Sequence, residues 1–296
     1  MPAESTTRRR LRPERPGPLA TAEPPLPQDL VITLLGSYVH GRHQTVWSGG
    51  LVSLLEELEF SNGAARVALT RLVNRGLILR VRQGRLVHYR MTPRAARVLA
   101  EGDGRIFSLG RPRDDGSCWT FLWHQIPEDR RLERSRLGKR LRFLGFGSLQ
   151  DSVWVSPHDH QEEVVELLDE LGVASYASVF LAPSESARGL RVAAERAWDL
   201  SGLAERYAAF EAEFAGYLGG ASPAELLSDR QAFLVRTRLI QLFRVFPFLD
   251  PELPEELVPL AAERGRAVAT FDVLWTSLAD AAKRHFDGVI LGYLAV

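Results

Sequence analysis

The sequence predicts an α+β protein of three folded domains, because three different hydrophobic patterns follow one another along its 296 residues. Residues 27–105 show three helical patterns, a hairpin pattern and a fourth helix. Residues 117–184 show the order strand, helix, two strands, helix, strand, and residues 188–296 show helical spacing without strand signals. These orders predict a winged helix-turn-helix, a ferredoxin-like (split βαβ) domain and an all-α domain.

The first 26 residues form a separate segment with six prolines and five arginines. Such a composition buries too little apolar surface to fold, which predicts a disordered tail. No apolar run in the chain approaches the roughly 18 residues that a membrane helix needs, and the N-terminus lacks the hydrophobic stretch of a signal peptide. Cys118 is the single cysteine, so we expect a cytoplasmic protein without an intramolecular disulfide.

Charge is distributed unevenly along the chain although the formal net charge is zero. Residues 1–113 contain 18 basic and 9 acidic residues, and the remainder contains 19 basic and 28 acidic residues. The excess persists when the arginines of the tail are set aside. A basic first part and an acidic second part indicate that the first part meets a polyanion.

A predicted helix over residues 61–74 has two contrasting faces. Ser61 is a good N-cap, and small and apolar residues recur at helical spacing along one face. Those residues are Ala65, Ala68, Leu69, Leu72 and Val73. The opposite face carries Asn62, Arg66, Thr70 and Arg71. A helix with one packing face and one cationic face can enter the major groove, where Arg66 would make a bidentate contact to guanine.

A β-hairpin is predicted next, from residues 77–82 and 85–91 on either side of Gln83 and Gly84. Its basic side chains are suited to phosphates or to the minor groove. They are Arg80, Arg82, Arg85, His88 and Arg90. Thr92 and Pro93 predict the start of a short helix to about residue 100, and the composition of residues 102–116 predicts a linker.

Double-stranded DNA is therefore the predicted partner. Exposed arginines alone are typical of any amphipathic surface helix. The two preceding predicted helices, over residues 28–39 and from near Ser48, and the basic hairpin favour the DNA interpretation. The predicted DNA-binding residues are Ser61, Asn62, Arg66, Thr70, Arg71, Arg80, Arg82, Arg85 and Arg90.

An alternative function, metal-dependent nuclease activity, would use the ferredoxin-like domain. Metal-dependent cleavage requires acidic residues at the end of the first strand. That predicted strand ends at His124-Gln125-Ile126-Pro127, and Glu128 and Asp129 fall in the following helix. The chain also lacks a nucleophile elbow, a P-loop and a dinucleotide fingerprint. The histidine pairs His40/His43 and His158/His160 have no further ligands at a metal-binding spacing. We therefore predict neither an enzyme nor a metal site.

The C-terminal domain is rich in aromatic residues at helical spacing, which we interpret mainly as its core. Some of them are candidates for lining a pocket for an apolar or aromatic effector. Arg236, Arg238 and Arg244 are suited to holding an anionic effector. The predicted effector-binding residues are Arg236, Arg244 and Phe246.

Several motifs in this order resemble one known family. They lie at residues 61–77, 89–92, 119, 145–147, 153–157, 198–200, 207–210 and 244–254. The chain resembles the PaaX family, the repressors of phenylacetate catabolism and their relatives. The resemblance implies a homodimeric repressor that leaves its operator when an aryl-acyl-CoA, typically phenylacetyl-CoA, binds. It also implies a central domain similar to small CRISPR-associated ferredoxin-like nucleases.

Two positions depart from the family pattern. Leu77 stands where the family often has tryptophan, and residues 259–265 stand where the family usually has Trp-Pro-Gly. The second departure concerns the effector more than DNA binding. A dimerising scaffold without a small-molecule effector is a third interpretation that the sequence leaves open.

Overall fold

The computed structural model describes residues 26–42, 44–111, 118–183, 187–219, 223–254 and 260–292. Helices and two small sheets make up this part of the chain, as the predicted α+β class requires. The predicted disordered tail lies outside the described residues except for Leu26. No helix among the described residues is long and apolar enough to cross a membrane.

The N-terminal unit contains four α-helices and a three-stranded antiparallel sheet of order β1-β3-β2. Its elements are α1 (Pro27–Leu34), a π-helical turn (Leu35–Val39), β1 (Val46–Trp47), α2 (Ser48–Glu57), α3 (Asn62–Asn74), β2 (Ile78–Gln83), β3 (Leu86–Met91) and α4 (Pro93–Ser108). The helices and the hairpin follow the predicted order. The two-residue strand β1 was not predicted; it pairs with β3 through Val46 and Tyr89.

Two predictions for this unit are wrong in detail. Helix α4 ends at Ser108 and not near residue 100, so the first part of the predicted linker is helical. Ile106 and Phe107 pack against the aromatic core of the C-terminal helices, and this tertiary packing outweighs the low helix propensity of Gly102 and Gly104. The hairpin turn consists of Gly84 and Arg85, since Gln83 pairs with Leu86. Gly84 has a φ of 60°, the left-handed conformation that glycine adopts without strain.

The central unit has a four-stranded antiparallel sheet of order β5-β6-β4-β7. Its elements are β4 (Cys118–His124), a 3₁₀ turn (Glu128–Arg130), α5 (Arg131–Phe143), β5 (Gly147–Gln150), β6 (Val153–Ser156), α6 (Gln161–Glu170), a second 3₁₀ turn (Ala174–Tyr176) and β7 (Ala177–Pro183). The first and third strands lie at the centre, and Leu122, Leu137 and Leu168 join sheet and helices in one hydrophobic cluster.

The described residues of the C-terminal unit form helices and connecting segments and no strand. Its elements are α7 (Ala187–Ala197), α8 (Leu200–Phe214), a 3₁₀ turn (Ala215–Tyr217), α9 (Pro223–Leu226), α10 (Asp229–Phe243), α11 (Phe246–Leu249), α12 (Ala261–Ser277) and α13 (Ala279–Leu291). The predicted aromatic core is present: Phe243 stacks on Phe271 with 4.0 Å between ring centroids, and Tyr207 stacks on Phe246 at 4.2 Å.

Helices of the C-terminal unit complete the core of the N-terminal unit. Phe233 of α10 and Phe286 of α13 belong to the same cluster as the buried faces of α1, α2 and α3. At Gly50 of α2 the backbones approach so closely that a Cβ atom would lie 2.9 Å from the Cα of Ile290. The orientation of α3 therefore depends on its own unit and on α10 and α13.

Candidate nucleic-acid interface

Helix α3 is held in place by its start and by its apolar face. The Ser61 side chain accepts a hydrogen bond of 3.2 Å from the Ala64 amide and so caps the helix, as predicted. The predicted inward residues Ala65, Ala68, Leu69 and Leu72 are buried, and Val73 is half-buried. Because this face packs against α1 and α2, the opposite face is fixed toward solvent.

A chain of hydrogen bonds positions Arg66, the side chain predicted to contact a guanine. Asn62 Nδ2 donates to Glu56 Oε1 over 3.2 Å, and Arg66 Nε donates to Asn62 Oδ1 over 2.7 Å. These bonds use Nε of Arg66 and leave the two terminal nitrogens of its guanidinium for a ligand. The contribution of Glu56, which lies six residues before Asn62 and precedes the N-cap, was not predicted from the sequence.

The rest of this face is exposed. Thr70 and Arg71 are exposed, and the Thr70 hydroxyl donates to the carbonyl of Arg66 over 2.9 Å. This hydroxyl therefore accepts from a ligand more readily than it donates. Val67, which was not among the predicted contacts, is 50% exposed between the polar side chains. An apolar side chain in that position suits the methyl group of thymine.

The hairpin presents its arginines on two opposite sides. In the observed register Arg80 lies opposite Tyr89, and Arg82 opposite Val87, so both arginines share one face of the ribbon. Arg90 lies opposite Leu79 on the other face, and Arg85 lies in the turn. All four arginines are exposed, but the structure does not bring them to one side.

His88, the remaining basic side chain of the hairpin, is buried at 2% exposure. Burial lowers the pKa of His88, which favours its neutral form. His88 is therefore buried, whereas the four arginines of the hairpin are exposed.

We name the exposed face of α3 and the hairpin arginines together the basic surface. It consists of Asn62, Arg66, Val67, Thr70, Arg71, Arg80, Arg82, Arg85 and Arg90. None of its six arginines has a carboxylate within 4.0 Å among the described residues. Unpaired exposed guanidinium groups are what a phosphate backbone neutralises.

The predicted effector-binding residues have different surroundings. Arg236 is buried, stacks over the Trp275 ring with its Cζ 3.3 Å from the centroid, and donates to the Trp275 carbonyl over 3.1 Å. Burial lowers the pKa of Arg236. Phe246 is fully buried in the aromatic core, whereas Arg244 donates to the Thr33 hydroxyl over 2.9 Å.

Glu128, near the end of the first central strand, has a local partner. Arg134 donates to Glu128 over 2.6 Å. Nε2 of the buried His158 lies 3.1 Å from the Pro251 carbonyl. Among the described residues, no three histidine, cysteine or acidic side chains come together in a group that could hold a metal ion.

Comparison with known proteins covers all three units. The model of the PaaX-like protein matches residues 27–95, that of the PaaX protein central Cas2-like domain matches residues 112–197, and that of the PaaX-like protein C-terminal domain matches residues 198–288. The "Transcriptional repressor PaaX" of Escherichia coli (strain K12) is 31% identical over 237 residues, which cover 78% of this chain and 73% of that protein. A solved structure of an uncharacterized protein from Mycobacterium tuberculosis has a TM-score of 0.54 and 22% identity, and it covers 87% of this chain and 97% of its own; this likeness concerns the fold alone.

Proposed function

Because the chain belongs to the PaaX family, we propose that it is a transcriptional repressor that binds DNA through its basic surface. The observation that carries this proposal is the set of six exposed arginines on α3 and the hairpin without a carboxylate partner among the described residues. The similar protein from Escherichia coli is named as a transcriptional repressor, which supports the same conclusion.

The N-terminal unit is then a winged helix-turn-helix in which α3 enters the major groove. Three helices followed by a two-stranded hairpin support this assignment. Arg66, whose Nε is fixed by Asn62, would contact a guanine edge, and Val67 would contact a thymine methyl group. Arg71 would contact the adjacent backbone.

The hairpin is the wing. Arg85 lies in its turn and reaches the DNA whichever face of the hairpin turns inward. Arg80 and Arg82 share one face, so these two contact phosphates together, and Arg90 on the opposite face does not contact DNA with them. This division narrows the predicted contact set from four wing arginines to three.

The central and C-terminal units would serve regulation and assembly. We assign the central unit to the ferredoxin-like class and the C-terminal unit to a helical effector and dimerisation domain, with phenylacetyl-CoA or a related acyl-CoA as the effector and a homodimer as the DNA-binding form. The family membership supports these assignments. No observation favours the alternative of a metal-dependent nuclease.

The test is a selection of duplexes from a random-sequence pool by the full-length protein. We expect one enriched sequence, the selected duplex, to bind at least about 10³-fold more tightly than a scrambled duplex of the same composition. The logarithm of affinity should fall linearly with the logarithm of salt concentration, by about 0.9 for each phosphate neutralised. Failure to enrich any sequence, together with salt-independent affinity, would contradict the proposal.

A further inference from the structure

A cavity of about 300 Å³ lies between the central sheet and the C-terminal helices. Its size is at the lower end of the range of about 300–1,000 Å³ that is typical of small-molecule sites. Its wall is formed by residues of α5, β5, β6, α7, α8 and α11 and by the segments before β5 and before α8. These include Arg142, Trp154, Trp198, Leu203, Arg206 and Phe248.

The wall combines flat apolar groups with cations. The Arg142 guanidinium lies over the Trp154 ring, with Cζ 5.1 Å from the centroid. Neither Arg142 nor Arg206 has a carboxylate within ion-pair distance among the described residues. Among the described residues of the wall, Asp199 is the one acidic side chain, and its carboxylate accepts from the Gly202 amide and the Ser201 hydroxyl at the start of α8.

One further feature of the wall indicates a ligand. Phe248 and Leu249 are 43% and 39% exposed although they belong to the wall. A ligand with a flat apolar part and an anionic part complements all of these groups.

Helix α4 connects this cavity with the basic surface. Near its end, Arg105 places Cζ 4.6 Å from the Phe143 ring centroid and 5.1 Å from that of Phe248, and donates to the Pro247 carbonyl over 3.2 Å. At its start, the Thr92 hydroxyl lies 2.9 Å from the carbonyl oxygen of Gly76, just after α3. One continuous helix of 16 residues therefore joins a wall residue of the cavity to the end of α3.

We propose that this cavity is the effector site, that it binds a ligand with an aromatic or other flat apolar group joined to an anionic group through Arg142 and Arg206, and that Arg105 transmits binding to α3 through α4. This inference rests on the proposed function. It assigns the effector to residues other than Arg236, Arg244 and Phe246.

The experiment is a calorimetric titration of the full-length protein with three probes: phenylacetyl-CoA, coenzyme A and phenylacetate. We expect phenylacetyl-CoA to bind and the double variant Arg142→Ala, Arg206→Ala to bind it at least about tenfold more weakly. Arg136→Ala is the matched control, because Arg136 is exposed on the same helix as Arg142 and lies outside the cavity wall. Equal affinity of the double variant and wild type would overturn the site, and failure of all three probes to bind would overturn the ligand class.

A second arm separates transmission from binding. Arg105→Ala should bind phenylacetyl-CoA with an affinity within about threefold of wild type. In the wild-type protein, phenylacetyl-CoA should lower the affinity for the selected duplex, and in Arg105→Ala this decrease should be absent. An unchanged decrease would overturn the role of Arg105. If the wild-type protein binds the selected duplex more tightly than the scrambled one but binds none of the probes, the proposed function stands and this inference fails. If the wild-type protein binds the two duplexes equally, the proposed function is contradicted.

Discussion

The arginines of the basic surface and those of the C-terminal helices have the same chemistry but different surroundings. Among the described residues, the six arginines of the basic surface lie in solvent without a carboxylate partner. In the C-terminal helices, Arg264 pairs with Asp250 at 2.6 Å, Arg266 with Glu211 at 2.9 Å and Arg284 with Asp229 at 2.7 Å.

The difference separates two functions of one residue type. A guanidinium that donates two hydrogen bonds to a buried carboxylate stabilises the fold, as Arg264 does with Asp250. A guanidinium without a protein anion is available to an external one. Substitutions in the two regions should therefore change different measured quantities: the free energy of unfolding in the C-terminal helices, and DNA affinity in the basic surface.

The largest effect is expected from Asp250→Ala. Asp250 is 5% exposed, accepts from Tyr207 over 2.6 Å and pairs with Arg264, and Arg264, whose side chain is 11% exposed, would lose its partner. The free energy of unfolding should fall by about 3–5 kcal/mol, measured by urea denaturation. Tyr207→Phe removes one hydrogen bond and should cost about 0.5–1.5 kcal/mol. A loss below 1 kcal/mol for Asp250→Ala would contradict a structural role of this pair.

A smaller effect is expected at the contact between helix α2 of the N-terminal unit and helix α13 of the C-terminal unit. Gly50→Ala would place a Cβ atom 2.9 Å from the Cα of Ile290 and should cost about 1–3 kcal/mol. Gly63→Ala is the matched control, because nothing lies within 4 Å of its added Cβ; it should stabilise helix α3 by about 0.5–1 kcal/mol. Equal stability of the two variants in thermal denaturation would show that α2 and α13 are not in close contact.

The wing arginines should change affinity without changing sequence preference. In the double variant Arg82→Ala, Arg85→Ala, binding to the selected and scrambled duplexes should weaken by the same factor, because phosphates are common to both. The salt slope should become shallower by about 2. Titrations at several salt concentrations, followed by fluorescence anisotropy, measure this. A loss confined to the selected duplex would mean that the wing reads bases.

The smallest effect is expected from Arg238→Ala. Arg238 forms an exposed ion pair with Glu213 at 3.2 Å, and exposed pairs contribute about 0–1 kcal/mol. Urea denaturation should show a change in that range, and affinity for the selected duplex should stay within experimental error. A marked loss of DNA affinity would show that the C-terminal helices also contact DNA.

Local signals made α3 predictable from the sequence. The Ser61 cap and the 3–4 spacing of Ala65, Ala68, Leu69 and Leu72 depend on residues within one or two turns, and both are present in the structure. The position of Arg85 was not predicted, because the turn lies one residue later than expected. A turn of Gln83 and Gly84 would have paired Arg85 with Arg82, whereas Arg85 lies in the observed turn.

Features that depend on distant parts of the chain were not predicted from the sequence. Helix α4 continues past Gly102 and Gly104 because Ile106 and Phe107 meet the C-terminal core. The burial of Arg236 depends on Trp275, 39 positions away. The cavity wall is assembled from four helices, two strands and two connecting segments, and no local spacing marks residues that meet only in the folded chain.

The most direct test of the account is the ratio of affinities for the selected and scrambled duplexes in the double variant Arg66→Ala, Arg71→Ala. Loss of a bidentate base contact should lower the discrimination free energy by about 1–3 kcal/mol, while the free energy of unfolding should change by less than about 0.5 kcal/mol because both side chains are exposed. We expect this ratio to be reduced by about fivefold or more in a fully folded protein. An unchanged ratio would contradict the assignment of α3 as the helix that reads DNA.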